Sequence, residues 1–106
     1  MIGDIATSET VAAFAAAGER WTFAGALTFD DATAVLDAAA ALPLPASGEV
    51  DMSGLTHADS AAIAVLLALR RRAAAEGRKL AFVALPPVLE SLARVYGIEE
   101  QFAPVT

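Results

Sequence analysis

The sequence predicts a single α/β domain in which helices cover a mixed four-stranded sheet, in the order β-β-α-β-α-β-α. Alternating polar and apolar residues near the amino terminus indicate a β-hairpin. After the hairpin, short apolar strands alternate with segments of helical period, and Gly or Pro separates most of them. Because strands alternate with helices after the hairpin, the central strands are predicted to be parallel and joined by right-handed crossovers.

The first part of the chain is predicted to form the hairpin and one helix. Residues 1–8 are expected to be loose, and strands at 10–15 and 20–25 flank a turn in which Gly18 is free to take a positive φ. A helix follows over residues 29–42, where prolines end it. Its apolar face consists of residues at three- to four-residue spacing: Phe29, Ala32, Val35, Leu36 and Ala39.

The second part of the chain is predicted to alternate between strands and helices. Residues 48–52 read as a short strand and 53–58 as a loop. A second helix runs from about Ser60 to Glu76, where Gly77 stops it. Residues 79–85 read as an interior strand, because they are almost continuously apolar. Pro87 opens a third helix, which ends at Gly97. A final turn tucks Ile98 and Phe102 inward, and the aromatic residues expected in the core are Trp21, Phe23, Phe82 and Phe102.

The composition is that of a small globular domain that needs no covalent cross-links. The chain has 106 residues, of which 57% are hydrophobic, and it has no cysteine. Disulfides and thiolate metal sites are therefore excluded. A single His and scattered carboxylates do not form a metal-binding pattern, so neither a metal nor a cofactor is predicted.

The charge balance and hydropathy restrict the classes of partner. The net charge is −6, from 13 acidic and 7 basic residues, which disfavours nucleic acid because its binding requires Lys and Arg at the phosphates. Arg70-Arg71-Arg72 reads as a solvated helix face, with a docking patch for an acidic partner as the alternative. The longest apolar run, Ala61 to Leu69, is far shorter than the roughly 20 residues that cross a bilayer, and no signal-peptide pattern is present. We expect a cytoplasmic protein without direct membrane insertion.

The boundary at Asp59-Ser60 is the strongest candidate for a functional site. Asp and Ser are favoured helix N-caps, because their oxygens accept hydrogen bonds from unpaired N–H groups of the first turn. A hydroxyl at this position lies on the positive end of the helix dipole, where a phosphate or an anionic partner group is favoured. The structural alternative is a plain N-cap without further function.

The second helix is predicted to have two apolar faces. Ile63, Leu66 and Leu67 lie on one stripe together with the stem of Arg70, and we expect this stripe to face the sheet. A second stripe of mostly small residues is expected to be exposed and to offer a docking surface: Ala61, Ala64, Val65, Ala68 and Arg72. The alternative is that these alanines are present only as helix formers.

His57, Asp59 and Ser60 supply the residue types of a base, an orienting carboxylate and a nucleophile. They are too close in sequence to converge easily, and neither a Gly-x-Ser-x-Gly nor a phosphate-binding loop motif accompanies them. No enzymatic activity is therefore predicted.

This pattern resembles the STAS domain family of anti-sigma factor antagonists and sulfate transporter tails. The resemblance rests on a strand ending in Val50-Asp51-Met52-Ser53-Gly54-Leu55, followed by Asp59-Ser60-Ala61-Ala62-Ile63 at the start of an apolar helix. The family's Asp-Ser/Thr-x-Gly-Leu motif is matched at Asp59 and Ser60, whereas Ala62 replaces the glycine and Ile63 the leucine. The expected STAS domain spans residues 9–106.

Within the family, residues 92–98 are similar to a Leu-Ala-x-x-Tyr-x-Leu stretch of the MlaB-like branch. These are small STAS subunits of the bacterial ABC transporter that moves phospholipids and maintains outer-membrane lipid asymmetry. The resemblance implies a protein that binds the ATPase subunit and supports its assembly or activity, peripheral to the inner membrane through that partner. The contact is expected at a defined set of residues: His57, Asp59, Ser60, Ala61, Ala64, Val65 and Ala68.

The alternative within the family is an anti-sigma factor antagonist. A partner kinase would then phosphorylate Ser60, and the added charge of about −1.5 to −2 would drive the two proteins apart.

Overall fold

In the computed structural model, residues 12–97 are described, and they form a four-stranded sheet with three helices. The element bounds are β1 Ala13–Ala17, β2 Arg20–Leu27, α1 Phe29–Ala40, β3 Glu49–Ala58, α2 Ser60–Ala75, β4 Ala81–Val83 and α3 Pro87–Val95. The predicted element order and the mixed α/β architecture are confirmed. The expected loose segment at 1–8 and the expected inward turn at Ile98 and Phe102 lie outside the described residues.

The strands lie in the order β1-β2-β3-β4. β1 and β2 form the antiparallel hairpin, whereas β2, β3 and β4 are mutually parallel, as predicted. Along β2 and β3, successive side chains point to opposite faces of the sheet. Those on one face are mostly buried, and those on the other face are more exposed. Since the three parallel strands end at the same edge, all three helices begin along that edge.

The core lies between the sheet and the helices and is built around aromatic side chains. Phe14, Trp21, Phe23 and Phe82 are buried, as predicted for the last three. The Phe14 ring packs at 4.8 Å from Phe23 and 5.6 Å from Trp21, between ring centroids. The buried indole N–H of Trp21 donates to the carbonyl oxygen of Pro43 at 3.1 Å, so its polar atom is satisfied.

The prediction of a loop at residues 53–58 is wrong, because these residues continue β3 to Ala58. Its parallel pairing with β2 extends from Trp21 to Leu27 across two register shifts. Gly54 allows this pairing, since a Cβ there would collide with the carbonyl oxygen of Phe23. Pairing with a neighbouring strand thus overrides the loop-like composition of Ser53, Gly54 and Thr56.

Other boundaries differ from the predictions for local reasons. β4 is short and lies at the edge of the sheet, so its expected interior position is wrong. The hairpin turn is shorter than expected, because β1 extends to Ala17. Gly18, in the turn, has a φ of 66°. α1 ends at Ala40 instead of residue 42, and Phe29, predicted on its apolar face, is exposed. The starts of α2 and α3 are as predicted.

Two arginines hold the connections at the amino edge of the parallel strands. Arg72 donates to the carbonyl oxygens of Ala39 (3.0 Å) and Leu42 (2.6 Å), which caps the C-terminal end of α1. Arg78 donates in the same way to the carbonyl oxygens of Leu44 and Pro45. Arg72 therefore belongs neither to an exposed docking stripe nor to a solvated arginine patch.

Candidate functional site at the start of the second helix

The candidate site lies at the carboxyl edge of the parallel strands, where β2 leads into α1 and β3 leads into α2. Leu27 and Ala58 are paired at the ends of these two strands. The backbone N–H of Asp59 donates to the carbonyl oxygen of Leu27 at 3.4 Å. The two helix starts, at Phe29 and Ser60, are consequently neighbours in space although 31 positions apart in sequence.

The Asp59 carboxylate connects the two helix starts. Its Oδ1 accepts a hydrogen bond from the backbone N–H of Ala61 at 2.8 Å, which makes Asp59 the N-cap of α2, as predicted. Its Oδ2 accepts from the backbone N–H of Phe29 at 3.1 Å. The side chain of Thr28, the N-cap residue of α1, makes no capping bond and instead donates to Asp31 at 3.2 Å. Asp59 therefore supplies α1 with the acceptor that its own N-cap side chain does not.

This arrangement changes what the helix starts can bind. The expected preference for a phosphate or another anion rests on free N–H donors and a positive dipole end. Here a carboxylate already occupies one donor of each helix and adds a negative charge. The remaining first-turn acids, Asp30 and Asp31 in α1, add further negative charge beside it.

Ser60 is the first residue of α2 and is partly exposed. Among the described residues its hydroxyl makes no hydrogen bond. Ala64, one turn further along the helix, is exposed, and Ala68 is partly exposed. The expected exposed stripe is wrong at Ala61 and Val65, which are only 6% and 3% exposed and belong to the buried face of α2. The helix turns these two positions inward beside Ala62 and Leu66, so the accessible alanines of the stripe are Ala64 and Ala68, with Ser60 one turn before Ala64.

His57 is exposed near the end of β3, and its Nδ1 lies 3.2 Å from the Thr56 hydroxyl oxygen. No hydrogen bond joins it to Asp59 or Ser60 within the described part of the chain. The Asp59 oxygens are engaged by backbone N–H groups, so the carboxylate does not orient an imidazole. The three residues do not form a nucleophile–base–carboxylate relay.

Between residues 12 and 97, no group of three or more His, Asp or Glu side chains is placed to hold a metal ion. The described helices include none that is both long and apolar enough to span a membrane.

Comparison with protein families decides the identity of the fold. The model of the family described as "Mlab, STAS domain" matches residues 13–105. The chain is an MlaB-like STAS domain. No curated protein matches the sequence. The resemblance stated from Asp59-Ser60 and residues 92–98 is thus confirmed at the level of the family.

STAS domains generally mediate protein–protein interactions and are generally non-catalytic. Sequence reasoning placed Asp59 and Ser60 correctly at the helix start but missed the hydrogen bond from the Phe29 backbone N–H to Asp59. The informative feature was the position of Phe29, two residues after the end of β2, because equivalent ends of parallel strands meet at one edge.

Proposed function

We propose that this STAS domain is a non-catalytic subunit that docks on the ATPase of a bacterial ABC transporter for phospholipid trafficking. The observation that carries the proposal is the MlaB-like family match over residues 13–105. Through this partner the protein would lie at the cytoplasmic side of the inner membrane and support the assembly or activity of the ATPase. ATP hydrolysis would belong to the ATPase.

The proposed contact is the start of α2 with the preceding end of β3. Ser60, His57 and Ala64 present accessible atoms there, and Asp59 fixes the backbone that carries them. Ala61 and Val65 support this surface from the buried side. Ala68, partly exposed two turns after Ser60, lies at its margin.

The proposal is tested by affinity capture of the tagged protein from its native cells, followed by binding measurements with the purified ATPase subunit. We expect recovery of an ABC ATPase together with its permease. We also expect Ser60→Glu to weaken binding, because it places a charge inside the contact. Ala74→Glu is the matched control, since Ala74 is exposed near the far end of the same helix, about 21 Å away at 1.5 Å per residue. If Ser60→Glu binds as tightly as Ala74→Glu, this contact is wrong.

A second candidate function is that of an anti-sigma factor antagonist switched by phosphorylation. The observation that favours it is the accessible Ser60 hydroxyl, which has no hydrogen-bond partner among the described residues. A kinase would transfer the γ-phosphoryl group of ATP to Ser60 Oγ, with ADP as the leaving group and loss of the hydroxyl proton. Phosphate at Ser60 in protein isolated with its active kinase would support this function, and only unmodified Ser60 under those conditions would contradict it.

A further inference from the structure

The side chain of Phe29 is 72% exposed at the first position of α1. The other described aromatic rings of the hairpin and sheet, Phe14, Trp21, Phe23 and Phe82, are buried. A single exposed apolar residue is ordinary on a protein surface, so exposure alone assigns nothing. The location of Phe29 is what matters, because its backbone N–H is held by the same carboxylate that caps the Ser60 helix.

The position of Phe29 is fixed by the fold. Its backbone is anchored 3.1 Å from Asp59 Oδ2, directly after the pairing of β2 with β3. An aromatic ring on such an anchored backbone loses little conformational freedom when a partner covers it, since only two side-chain torsions remain to be fixed. Phe, like Tyr and Trp, is enriched in protein–protein interfaces relative to the rest of the surface.

The charges around Phe29 indicate the chemistry of the partner. The three helix starts along this edge carry four acids: Asp30, Asp31, Asp59 and Glu90. All seven basic residues of the chain lie elsewhere, at the amino edge of the parallel strands or in the second halves of α2 and α3: Arg20, Arg70, Arg71, Arg72, Arg78, Lys79 and Arg94. The edge that presents Phe29 is therefore negative, which complements a positively charged surface.

We infer that Phe29 is the apolar anchor of the docking surface and that the partner is a protein surface with an apolar pocket rimmed by Lys or Arg. The inference rests on the proposed docking through the start of α2 and adds the start of α1 to it. Phe29 inserts into the pocket, and the first-turn acids face the basic rim. An anionic partner group is disfavoured at this edge, because Asp59 already occupies the N–H donors of Ala61 and Phe29.

The test measures the dissociation constant for the purified ATPase subunit with wild type, Phe29→Ala and Val95→Ala. Val95 is the matched control, because it is an equally accessible apolar side chain, 79% exposed, at the last position of α3. Phe29→Ala is expected to raise the dissociation constant at least tenfold and Val95→Ala less than twofold. Raising NaCl from 50 to 500 mM is expected to weaken wild-type binding, because it screens the complementary charges.

Each result has a defined meaning. If wild type does not bind the ATPase, the proposed function fails and the inference falls with it. If wild type binds and Ser60→Glu weakens binding, but Phe29→Ala and Val95→Ala have the same dissociation constant, only the inference about Phe29 is overturned. If the higher NaCl concentration does not weaken wild-type binding, the inference of a positively charged partner surface is overturned.

Thermal unfolding of the free protein separates docking from packing. Phe29→Ala is expected to unfold at the same temperature as wild type, because the ring is exposed. A lowered unfolding temperature would mean that another part of this chain covers the ring, which would also overturn the inference.

Discussion

Replacement of Asp59 by Ala tests the central structural claim, that one carboxylate holds two helix starts together. The substitution removes the N-cap bond to Ala61 and the bond to the Phe29 N–H. Loss of an Asp N-cap costs about 1 kcal/mol. Loss of a second, partly exposed hydrogen bond costs about another 1 kcal/mol. The free energy of unfolding is therefore expected to fall by about 2 kcal/mol, which corresponds to a decrease in Tm of roughly 10 °C for a domain of this size.

The assay is urea unfolding at pH 7 with two comparison variants. Asp59→Asn keeps an oxygen for the Ala61 N–H but turns an amide toward Phe29, so about half of the loss is expected. Asp30→Ala removes a first-turn acid of α1 that makes no hydrogen bond within residues 12–97, and only a dipole contribution of about 0.5 kcal/mol is expected to be lost. If Asp59→Ala costs no more than Asp30→Ala, the carboxylate does not connect the two helices as described.

Two further predictions concern the opposite edge of the sheet. Arg72→Met removes the hydrogen bonds to the carbonyl oxygens of Ala39 and Leu42 and is expected to lower the free energy of unfolding by about 1–3 kcal/mol. Arg71→Met, at an exposed position, is expected to stay within about 0.5 kcal/mol of wild type. Equal urea midpoints for the two variants would contradict the capping role of Arg72. The backbone and side-chain hydrogen bonds from Ser53, with a smaller contribution from Arg20, hold the pKa of Asp51 below its ordinary value of 3.8. Because the pKa of Asp51 is lower in the folded state, its ionised carboxylate stabilises the fold above pH 3.8. This stabilisation is lost as the pH falls through the folded-state pKa. Asp51→Asn is thus expected to be less stable than wild type at pH 7 in urea unfolding, with a difference that shrinks on acidification; a constant difference would refute the assignment.

The elements that local chemistry determines could be predicted from the sequence. Asp59 before an apolar run set the start of α2, and Pro87 set the start of α3, because capping and proline preferences act within a few residues. The buried positions of Trp21, Phe23 and Phe82 followed from alternation or from continuous apolarity.

The features that depend on distant neighbours could not be predicted. Residues 53–58 have loop-like composition, and only pairing with β2 makes them a strand. β4 is apolar enough for an interior strand but lies at the edge, where no further strand follows it in the described sheet. Ile63 and Leu66 are buried as predicted, but Ala61 and Val65 were placed on the exposed face, because helical period alone does not say how wide the buried face of a helix is.

The double use of Asp59 also determines how a modification of Ser60 would act. A phosphate on the Ser60 hydroxyl would bring a charge of about −1.5 to −2 next to a carboxylate that already caps α2. The two anions would compete for the same N–H donors at the first turn. Since Asp59 also holds the backbone N–H of Phe29, weakening its bonds would loosen the start of α1 as well. A charge added at Ser60 would thereby disturb the backbone that carries Phe29, because it would repel the neighbouring Asp59 carboxylate. Ser60→Glu is thus expected to reduce binding more than a neutral Ser60→Ala does, even though both variants remove the hydroxyl.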